Sequence, residues 1–394
     1  SLEESLSDMK FIDGLPGKKI LGKGNHDFWW CTMKKHQEFF EKIGITTISF
    51  LFNNASQKCA YTLFVRERVD EEAEIKAYQE QYGKDNVIVV DSGLLELPYA
   101  NFYMQSNTVV YLKQGAYVLA QHMYDIMSEE DEMLYTEADA QAHNSIGLTR
   151  YPFVNFNRCD NVKFVGRGVL DLSHLDRRER RGLVFTDCSN IEVRGIKIVN
   201  SPEWSFITYH CQNVSIKDVD IFGYRQNSDA FAICNTRNAT IDNSFCRSGD
   251  DLFDVKAAGG REEAVSNNIT FTNCTAWNGK ARCFGICGEV EKSISNVTFK
   301  DSCVVFHDAT WNYDKISALA IIAEVGGGSI DNITFENIDI HQTTCLKIGV
   351  KNIGLLPCHQ IVITGGILAI LKFCKVNFTY FINCLFYPFS CGNK

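Results

Sequence analysis

The sequence has no sustained run of basic residues. Its 394 residues include 39 Lys and Arg against 48 Asp and Glu, which gives a net charge of −9. A chain with this charge is a poor partner for nucleic acid or an anionic membrane surface, and it suits a neutral substrate better. The most apolar stretch, residues 361–371, is too short to cross a bilayer. We therefore expect neither nucleic acid nor a membrane as a partner.

Cysteine spacings of the kind that bind zinc are also missing. The 16 cysteines do not form two Cys-x-x-Cys pairs. Their density is below that of small disulfide-bonded domains, and most lie beside predicted strands. We expect buried small side chains and no metal or cofactor. The first eight residues show no signal-peptide pattern, but a chain that starts with Ser can be a processed product, so the location stays open.

The middle of the chain contains a sequence repeat that is typical of β-strands. Each repeat has Asn followed by alternating apolar residues and no convincing amphipathic helix. One such coil cannot bury its apolar face alone, so successive coils are expected to stack with parallel strands. A β-sandwich would instead need hairpin turns. The pattern favours an all-β protein built as a parallel β-helix. The repeats start at Asn161, Asn190, Asn213, Asn238, Asn268, Asn296 and Asn332.

The repeat also suggests four regions. Residues 151–345 are predicted to form the parallel β-helix that carries catalysis. Residues 56–150 are expected to be its lead-in and N-terminal cap, because a solenoid end exposes strand edges that must be covered. Residues 1–55 lack the repeat and suggest an N-terminal α/β appendage. Residues 346–394 form an atypical apolar tail, which fits either an extra coil or an artefact at the gene end.

Three aspartates in neighbouring repeats form the main candidate site. Asp229 lies in RQNSDAF, and Asp250 and Asp251 lie in RSGDDLFDVK. The separation of Asp229 from Asp251 is about one coil, which would bring the carboxylates together. Glycosidic hydrolysis needs one protonated carboxyl group and one ionised carboxylate, and crowded carboxylates raise the pKa of at least one member. The alternative is an Asp-rich turn ladder that caps backbone N–H groups.

Gly249 immediately precedes the aspartate pair. Neighbouring residues of a strand point to opposite faces, so both carboxylates can face one site only if the backbone departs from a regular strand. We therefore expect Gly249 to permit an unusual turn or a bulge there.

The segments NSDAF and SGDDLFDVK resemble the NTD and GDD motifs of glycoside hydrolase family 28, the polygalacturonase-like enzymes, over about residues 95–345. The resemblance implies a right-handed parallel β-helix that cleaves a polysaccharide by an inverting mechanism. It implies that Asp250 is the general acid, while Asp229 and Asp251 hold and activate water. It also suggests an extracellular or periplasmic location.

Two cationic residues are candidate substrate contacts. Lys256 matches a lysine that commonly follows the GDD motif in that family. Arg282 stands near the histidine of the family's Gly-His-Gly motif. It could contact the substrate or form a salt bridge to Glu289 or Asp254.

The family's Arg-Ile-Lys motif, whose two cations grip a substrate carboxylate, is replaced here by Ala320, Ile321 and Ile322. Without that clamp a galacturonate ring would lose its charge-assisted partner. We therefore expect a substrate other than plain polygalacturonate. Trp204 and Tyr224 are predicted to form sugar-stacking subsites, because they precede Asp229 in the adjoining loops.

Two other functions fit the same residues. A calcium-dependent polysaccharide lyase would use the three aspartates as ligands and Arg282 or Lys256 as the base. A noncatalytic β-helix would only bind glycans. The products distinguish them, because a lyase leaves an unsaturated, ultraviolet-absorbing end.

A separate motif lies near the start of the chain. The residues Gly24, Asn25, His26 and Asp27 resemble the GNHD signature of calcineurin-like metallophosphoesterases. A dinuclear site needs several Asp and His ligands from separate loops. That family's upstream Asp-x-His and Gly-Asp motifs have no room here, and no Gly-His-x-His follows. We expect residues 1–55 to be an inactive fragment.

Overall fold

The computed structural model describes residues 47–51, 60–64, 66, 68–122, 152–259, 264–312, 316–341, 348–352 and 358–364. The metallophosphoesterase-like motif at residues 24–27 lies outside these ranges, and so does most of the apolar tail. Within the described residues, no helix has the length and apolar character needed to cross a membrane.

The chain divides into two compact units, residues 1–74 and 75–394. In the first unit, β1 (Thr47–Leu51) pairs antiparallel with β2 (Ala60–Phe64). The helix α1 (Glu71–Tyr82) runs across the boundary and is followed by a short 3₁₀ turn, Lys84–Asn86. In the second unit, Ile75 of α1 packs with Val87, Val109 and Tyr111.

The second unit is built from short strands that follow one another at each turn of a solenoid. In chain order they are β3 (Val87–Val90), β4 (Gly93–Leu97), β5 (Ala100–Tyr103), β6 (Val109–Leu112), β7 (Ala116–Ala120), β8 (Pro152–Asn157), β9 (Asp160–Gly166), β10 (Val169–Asp171), β11 (Arg181–Thr186), β12 (Ser189–Arg194), β13 (Lys197–Val199), β14 (Phe206–Tyr209), β15 (Gln212–Lys217), β16 (Asp220–Phe222), β17 (Phe231–Cys234), β18 (Arg237–Asp242), β19 (Phe245–Ser248), β20 (Phe253–Ala257), β21 (Ser266–Thr272), β22 (Thr275–Asn278), β23 (Phe284–Val290), β24 (Ile294–His307), β25 (Leu319–Val325), β26 (Ile330–Ile340), β27 (Ile348–Asn352) and β28 (Cys358–Thr364).

These strands form two long sheets in which neighbours are parallel. The smaller sheet contains β5, β8, β11, β14, β17, β20, β23, β25 and β27, and the other strands form the larger one. Pairing begins with β3 alongside β6, within the predicted lead-in. It extends to β27 and β28, which pair with β25 and β26 in the predicted tail. This arrangement confirms the parallel β-helix expected from the repeats.

The core is an apolar column enclosed by the two sheets. Phenylalanines from successive coils contact one another with ring centroids 4.5 to 5.8 Å apart. They are Phe102, Phe156, Phe185, Phe206, Phe231, Phe253 and Phe284. Nine cysteines between Cys159 and Cys303 are buried and form no disulfide within the described residues, which confirms for these nine that they act as small core side chains.

The repeat asparagines form a ladder at one turn of the solenoid. All seven have a left-handed backbone, with φ between 52° and 57°. Asn tolerates this conformation better than most residues, which explains why it recurs at the start of each repeat. The side-chain amide of Asn238 donates to Asn213, and that of Asn268 donates to Asn238, at 3.2 and 2.9 Å. The ladder therefore fixes the relative positions of adjacent coils.

Replacing Asn238 by Ala is expected to lower the free energy of unfolding by about 1–3 kcal/mol. The change removes two ladder hydrogen bonds. It also places alanine in the left-handed backbone conformation at φ 56°, which asparagine tolerates better because its amide can form local hydrogen bonds. Urea unfolding followed by circular dichroism measures the loss. Asn238→Gly should lose less, because glycine tolerates the backbone. Ser215→Ala, at an exposed position of β15, should change little. An unaltered Asn238→Ala stability would contradict this account.

Candidate active site

The strand register aligns four of the predicted site residues in one column along successive coils: Trp204, Asp229, Asp251 and Arg282. Phe231 of β17 pairs with Phe253 of β20, so Asp229 lies level with Asp251 one coil away. The Ala230 N–H donates to the Asp251 carbonyl at 2.8 Å. The spacing of 22 residues therefore equals one coil, as the sequence predicted. By the same register, Trp204 precedes Asp229 and Arg282 follows Asp251 in the column.

This column opens into a cleft of about 380 Å³. Asp229, Asp250 and Asp251 are buried, and each has an oxygen within 4.8 Å of an oxygen of the others. This cluster, called the aspartate trio below, is close enough to hold a single cation or a water molecule. The cleft is lined by the trio together with Glu203, Glu289 and Glu324, and by Arg178, Arg181, Lys256 and Arg282.

Asp250 is held by backbone donors from two coils. Its Oδ2 accepts from the Asn227 N–H at 3.1 Å, and its Oδ1 accepts from the Asp251 N–H at 3.0 Å. The Asn278 amide donates to the Asp250 carbonyl at 2.7 Å. Burial, and then the charge of Asp251, raise the pKa of Asp250 to about 7. Asp250 therefore keeps its proton in mildly acidic solution.

Asp251 lies in a different environment, against Arg282. The Arg282 backbone N–H and its Nη1 donate to the two Asp251 oxygens at 3.1 and 3.0 Å. Its Nη2 donates to Glu324 at 2.9 Å. Burial acts to lower the pKa of Arg282, but Asp251 and Glu324 outweigh it, so the pKa rises and Arg282 stays a cation. Asp251 is therefore directly paired with a cation.

The salt-bridge partners expected for Arg282 from the sequence were wrong. Arg282 precedes β23 and lies level with Asp251, whereas Glu289 stands near the far end of that strand. Glu289 and Asp254 contact Lys256 instead, at 2.9 and 2.7 Å from its Nζ. Glu324 was not predicted as a partner of Arg282, although it lies close to the replaced clamp in the sequence.

Lys256 occupies the centre of a buried ion cluster. Besides Asp254 and Glu289, its Nζ contacts the Cys287 carbonyl at 2.7 Å and Asp229 Oδ2 at 3.9 Å. Burial alone would lower the pKa of Lys256, but these carboxylates outweigh it and raise the pKa well above its usual value. Lys256 is predicted from the sequence to touch substrate. It lines the cleft but is only 3 % exposed, and its ammonium group is already shared among protein acceptors.

Asp229 lies near both Lys256 and the other two members of the aspartate trio. Burial and the neighbouring Asp250 raise its pKa well above the ordinary value, while Lys256 opposes that shift. At least one proton is therefore expected to be shared between Asp229 and Asp250 in the resting site.

Gly249 lies at a bend between β19 and β20, so the backbone departs from a regular strand at the aspartate pair, as expected. Its φ lies outside the left-handed region. A Cβ at this position would lie 2.2 Å from the Arg225 carbonyl oxygen and 2.5 Å from that of Tyr224. Glycine is therefore needed because the close approach of two backbone segments excludes a side chain.

The two predicted aromatic contacts have different positions. Trp204 lines the cleft but is only 8 % exposed, and Arg181 and Lys256 lie 4.7 and 5.1 Å from its ring centroid. Tyr224 is exposed but is not among the residues that line the cleft. Trp311 is one of the aromatic residues that flank the repeats and was not one of the two chosen from the sequence, but it lines the cleft and is 55 % exposed.

Comparison with known proteins agrees with the resemblance seen in the sequence. The family model described as glycosyl hydrolases family 28 matches residues 154–351. Probable exopolygalacturonase B of Aspergillus flavus is 29% identical over 198 residues, which cover 46% of this chain and 41% of that protein. A polygalacturonase of Persea americana is 27% identical over 227 residues, covering 53% and 46%. The matched residues span less than half the length of these curated relatives.

Among solved structures, the exopolygalacturonase of Thermotoga maritima aligns with a TM-score of 0.47 and 16% identity, over 75% of this chain and 77% of that one. The endo-xylogalacturonan hydrolase of Aspergillus tubingensis aligns with a TM-score of 0.43 and 14% identity, over 75% and 80%. The match to the family model spans half of the 394 residues and includes the whole aspartate trio. This protein therefore belongs to glycoside hydrolase family 28.

Proposed function

We propose that this protein hydrolyses a glycosidic bond in a polysaccharide. The observation that carries the proposal is the contrast between two adjacent carboxyl groups. Asp250 is buried with a pKa of about 7, whereas Asp251 is paired with Arg282. A carboxyl group that keeps its proton near neutral pH, beside a carboxyl group paired with a cation, is the arrangement that acid–base cleavage of a glycoside requires.

In the proposed reaction Asp250 donates its proton to the glycosidic oxygen while the bond from that oxygen to the anomeric carbon breaks. A water molecule attacks the anomeric carbon and gives its proton to a carboxylate of the trio. In the proposal that carboxylate is Asp251, which is paired with Arg282, and Asp229 helps to hold the water. Water is consumed and one free reducing end is produced.

The stereochemical outcome is part of the proposal. Carboxyl groups about 6.5–9.5 Å apart are typical of inverting enzymes, and separations of about 5–5.5 Å are typical of retaining ones. One oxygen from each member of the trio lies within 4.8 Å of the others, and this distance between selected oxygens does not decide between the two outcomes. The family resemblance implies inversion, and water held jointly by Asp229 and Asp251 would be placed for it. We propose inversion and make the product anomer a test.

The proposed substrate is not plain polygalacturonate. Ala320, Ile321 and Ile322, at the positions of the family's cationic clamp, are buried and apolar. The cations of the cleft already contact acids or amides: Lys256 contacts Asp254 and Glu289, Arg282 contacts Asp251 and Glu324, Arg181 contacts Glu203, and Arg178 donates to Asn227. A substrate carboxylate would have to compete with these groups, whereas a neutral sugar would not.

The lyase alternative is weaker because its base is missing. Either Arg282 or Lys256 would have to lose a proton near neutral pH. Both are held in the charged form by carboxylates, which raise the pKa of each above its ordinary value. Hydrolysis needs neither residue to be deprotonated.

The test is to incubate the purified protein with a panel of neutral, substituted and uronate polysaccharides. We expect new reducing ends from a neutral or substituted polymer, no rise in ultraviolet absorbance, and no loss of activity with a chelator. Proton NMR of the first product should show the inverted anomer. Rapid release of galacturonic acid from polygalacturonate would refute the substrate proposal. Ultraviolet-absorbing ends that disappear with chelator would favour the lyase. Glycan binding without any cleavage would favour a noncatalytic role.

A further inference from the structure

Trp311 is a large, exposed aromatic side chain in a cleft that is lined mostly by polar and charged residues. It is 55 % exposed and lies on the segment before β25. Asp250 and Asp251 lie on the turn before β20, and β20, β23 and β25 are consecutive strands of the smaller sheet. Trp311 therefore stands two coils beyond Asp250, about 10 Å along the solenoid axis at about 4.8 Å a coil.

The backbone around Trp311 is tied to the turn that carries Asp250. The Trp311 N–H donates to the Lys280 carbonyl at 3.3 Å, and Thr310 Oγ1 donates to that of Gly279 at 2.6 Å. Buried Asn278 accepts from the Lys280 N–H and donates to the Asp250 carbonyl, at 2.8 and 2.7 Å. The backbone that carries the indole is thus linked through Asn278 to the backbone of Asp250.

We propose that Trp311 is the stacking platform of a sugar-binding subsite. The subsite lies beyond the aspartate trio, towards the C-terminal end of the solenoid, and it binds a neutral sugar ring. The inference rests on the glycosidase function proposed above. A pyranose ring has an apolar C–H face that packs against an aromatic face, while its hydroxyl groups bond at the edge. Trp204 cannot serve equally well, because it is almost fully buried beside Arg181 and Lys256.

Negatively charged side chains on this side of the cleft favour a neutral sugar ring over a uronate ring. Glu324 and Glu289 line the same cleft, and their side chains are 44% and 23% exposed. Carboxylate oxygens accept hydrogen bonds from sugar hydroxyls but repel a uronate carboxylate. The Lys280 side chain, which could offset this, is not among the groups that line the cleft.

The test measures oligosaccharide binding in the Asp250→Asn background, so that turnover is not required. Neutral xylo-, galacto- and arabino-oligosaccharides and oligogalacturonate are titrated while tryptophan fluorescence and heat are recorded. We expect at least one neutral series to bind more tightly than oligogalacturonate. Adding Trp311→Ala should weaken that binding by about tenfold or more, which corresponds to about 1.4 kcal/mol. Trp311→Phe should keep most of the affinity, because it keeps an aromatic face.

Tyr117→Ala is the matched control, because Tyr117 is an exposed aromatic on β7 of the larger sheet, away from the cleft. It should leave binding unchanged. Unaltered affinity in a folded Trp311→Ala variant, or tighter binding of oligogalacturonate, would overturn the inference. If Trp311-dependent binding is found but the wild-type chain cleaves nothing, the subsite stands and the proposed hydrolysis fails. If the wild type cleaves and Trp311→Ala changes neither KM nor binding, the subsite fails alone.

Discussion

Replacing Asp250 by Asn is expected to lower kcat by about 10²–10⁴-fold, because the departing glycosidic oxygen then loses its proton donor. The amide is nearly isosteric and can still accept from the Asn227 N–H, so the fold should be kept. Since Asp250 has a pKa of about 7, wild-type kcat should fall as pH rises through about 7, where the carboxyl group loses its proton. The Asn variant should not show this decline. Reducing-end assays over a pH series measure both effects.

The matched control is Asp331→Asn, which changes an exposed carboxylate on β26 of the larger sheet. It should leave kcat and its pH dependence as in the wild type. Substrate affinity of the Asp250→Asn variant, measured by calorimetry, should also stay close to the wild-type value. A folded Asp250→Asn variant with undiminished kcat would remove Asp250 from the acid role and leave the noncatalytic alternative.

The fold could be predicted because each repeat contains the residues that determine its turn and its strand. Each repeat begins with an asparagine that the turn needs in the left-handed conformation, and alternating apolar residues follow. The one-coil separation of Asp229 and Asp251 could be predicted in the same way, because the strands that follow them, β17 and β20, pair without a shift. In such regular coils, sequence spacing translates directly into position along the axis.

The surroundings of the trio could not be predicted, because they depend on irregular coils. β20 and β23 pair with a shift after Val255, and this places Glu289 beside Lys256 although the two are 33 residues apart. Glu324 reaches Arg282 from 42 residues away, across a coil of different length. The exposure of Trp311 likewise depends on the path of a loop. Repeat spacing fixes which coil a loop residue belongs to, but it does not fix where that residue points.

The buried ion cluster leads to the second large effect. Replacing Lys256 by Met is expected to lower the free energy of unfolding by about 3–5 kcal/mol, because it leaves Asp254, Glu289 and Asp229 without their shared cation in a buried site. The loss should be smaller at low pH. Burial raises the pKa of Asp254 from 3.8 to about 7 even with Lys256 present, so acid can neutralise the stranded carboxylate. Urea unfolding at pH 5 and pH 8 measures both.

The double variant Lys256→Met with Asp254→Asn distinguishes this account from a simple packing effect. Removing the stranded charge together with the cation should recover part of the stability lost at pH 8, so the two changes should be far from additive. Activity should recover less, because Asp229 still lacks the cation 3.9 Å away that favours its charged form. Additive losses, or a Lys256→Met loss that is equal at both pH values, would show that Lys256 acts through packing alone. In that case the charge of Asp229 would have to be set by Asp250 and Asp251 without it.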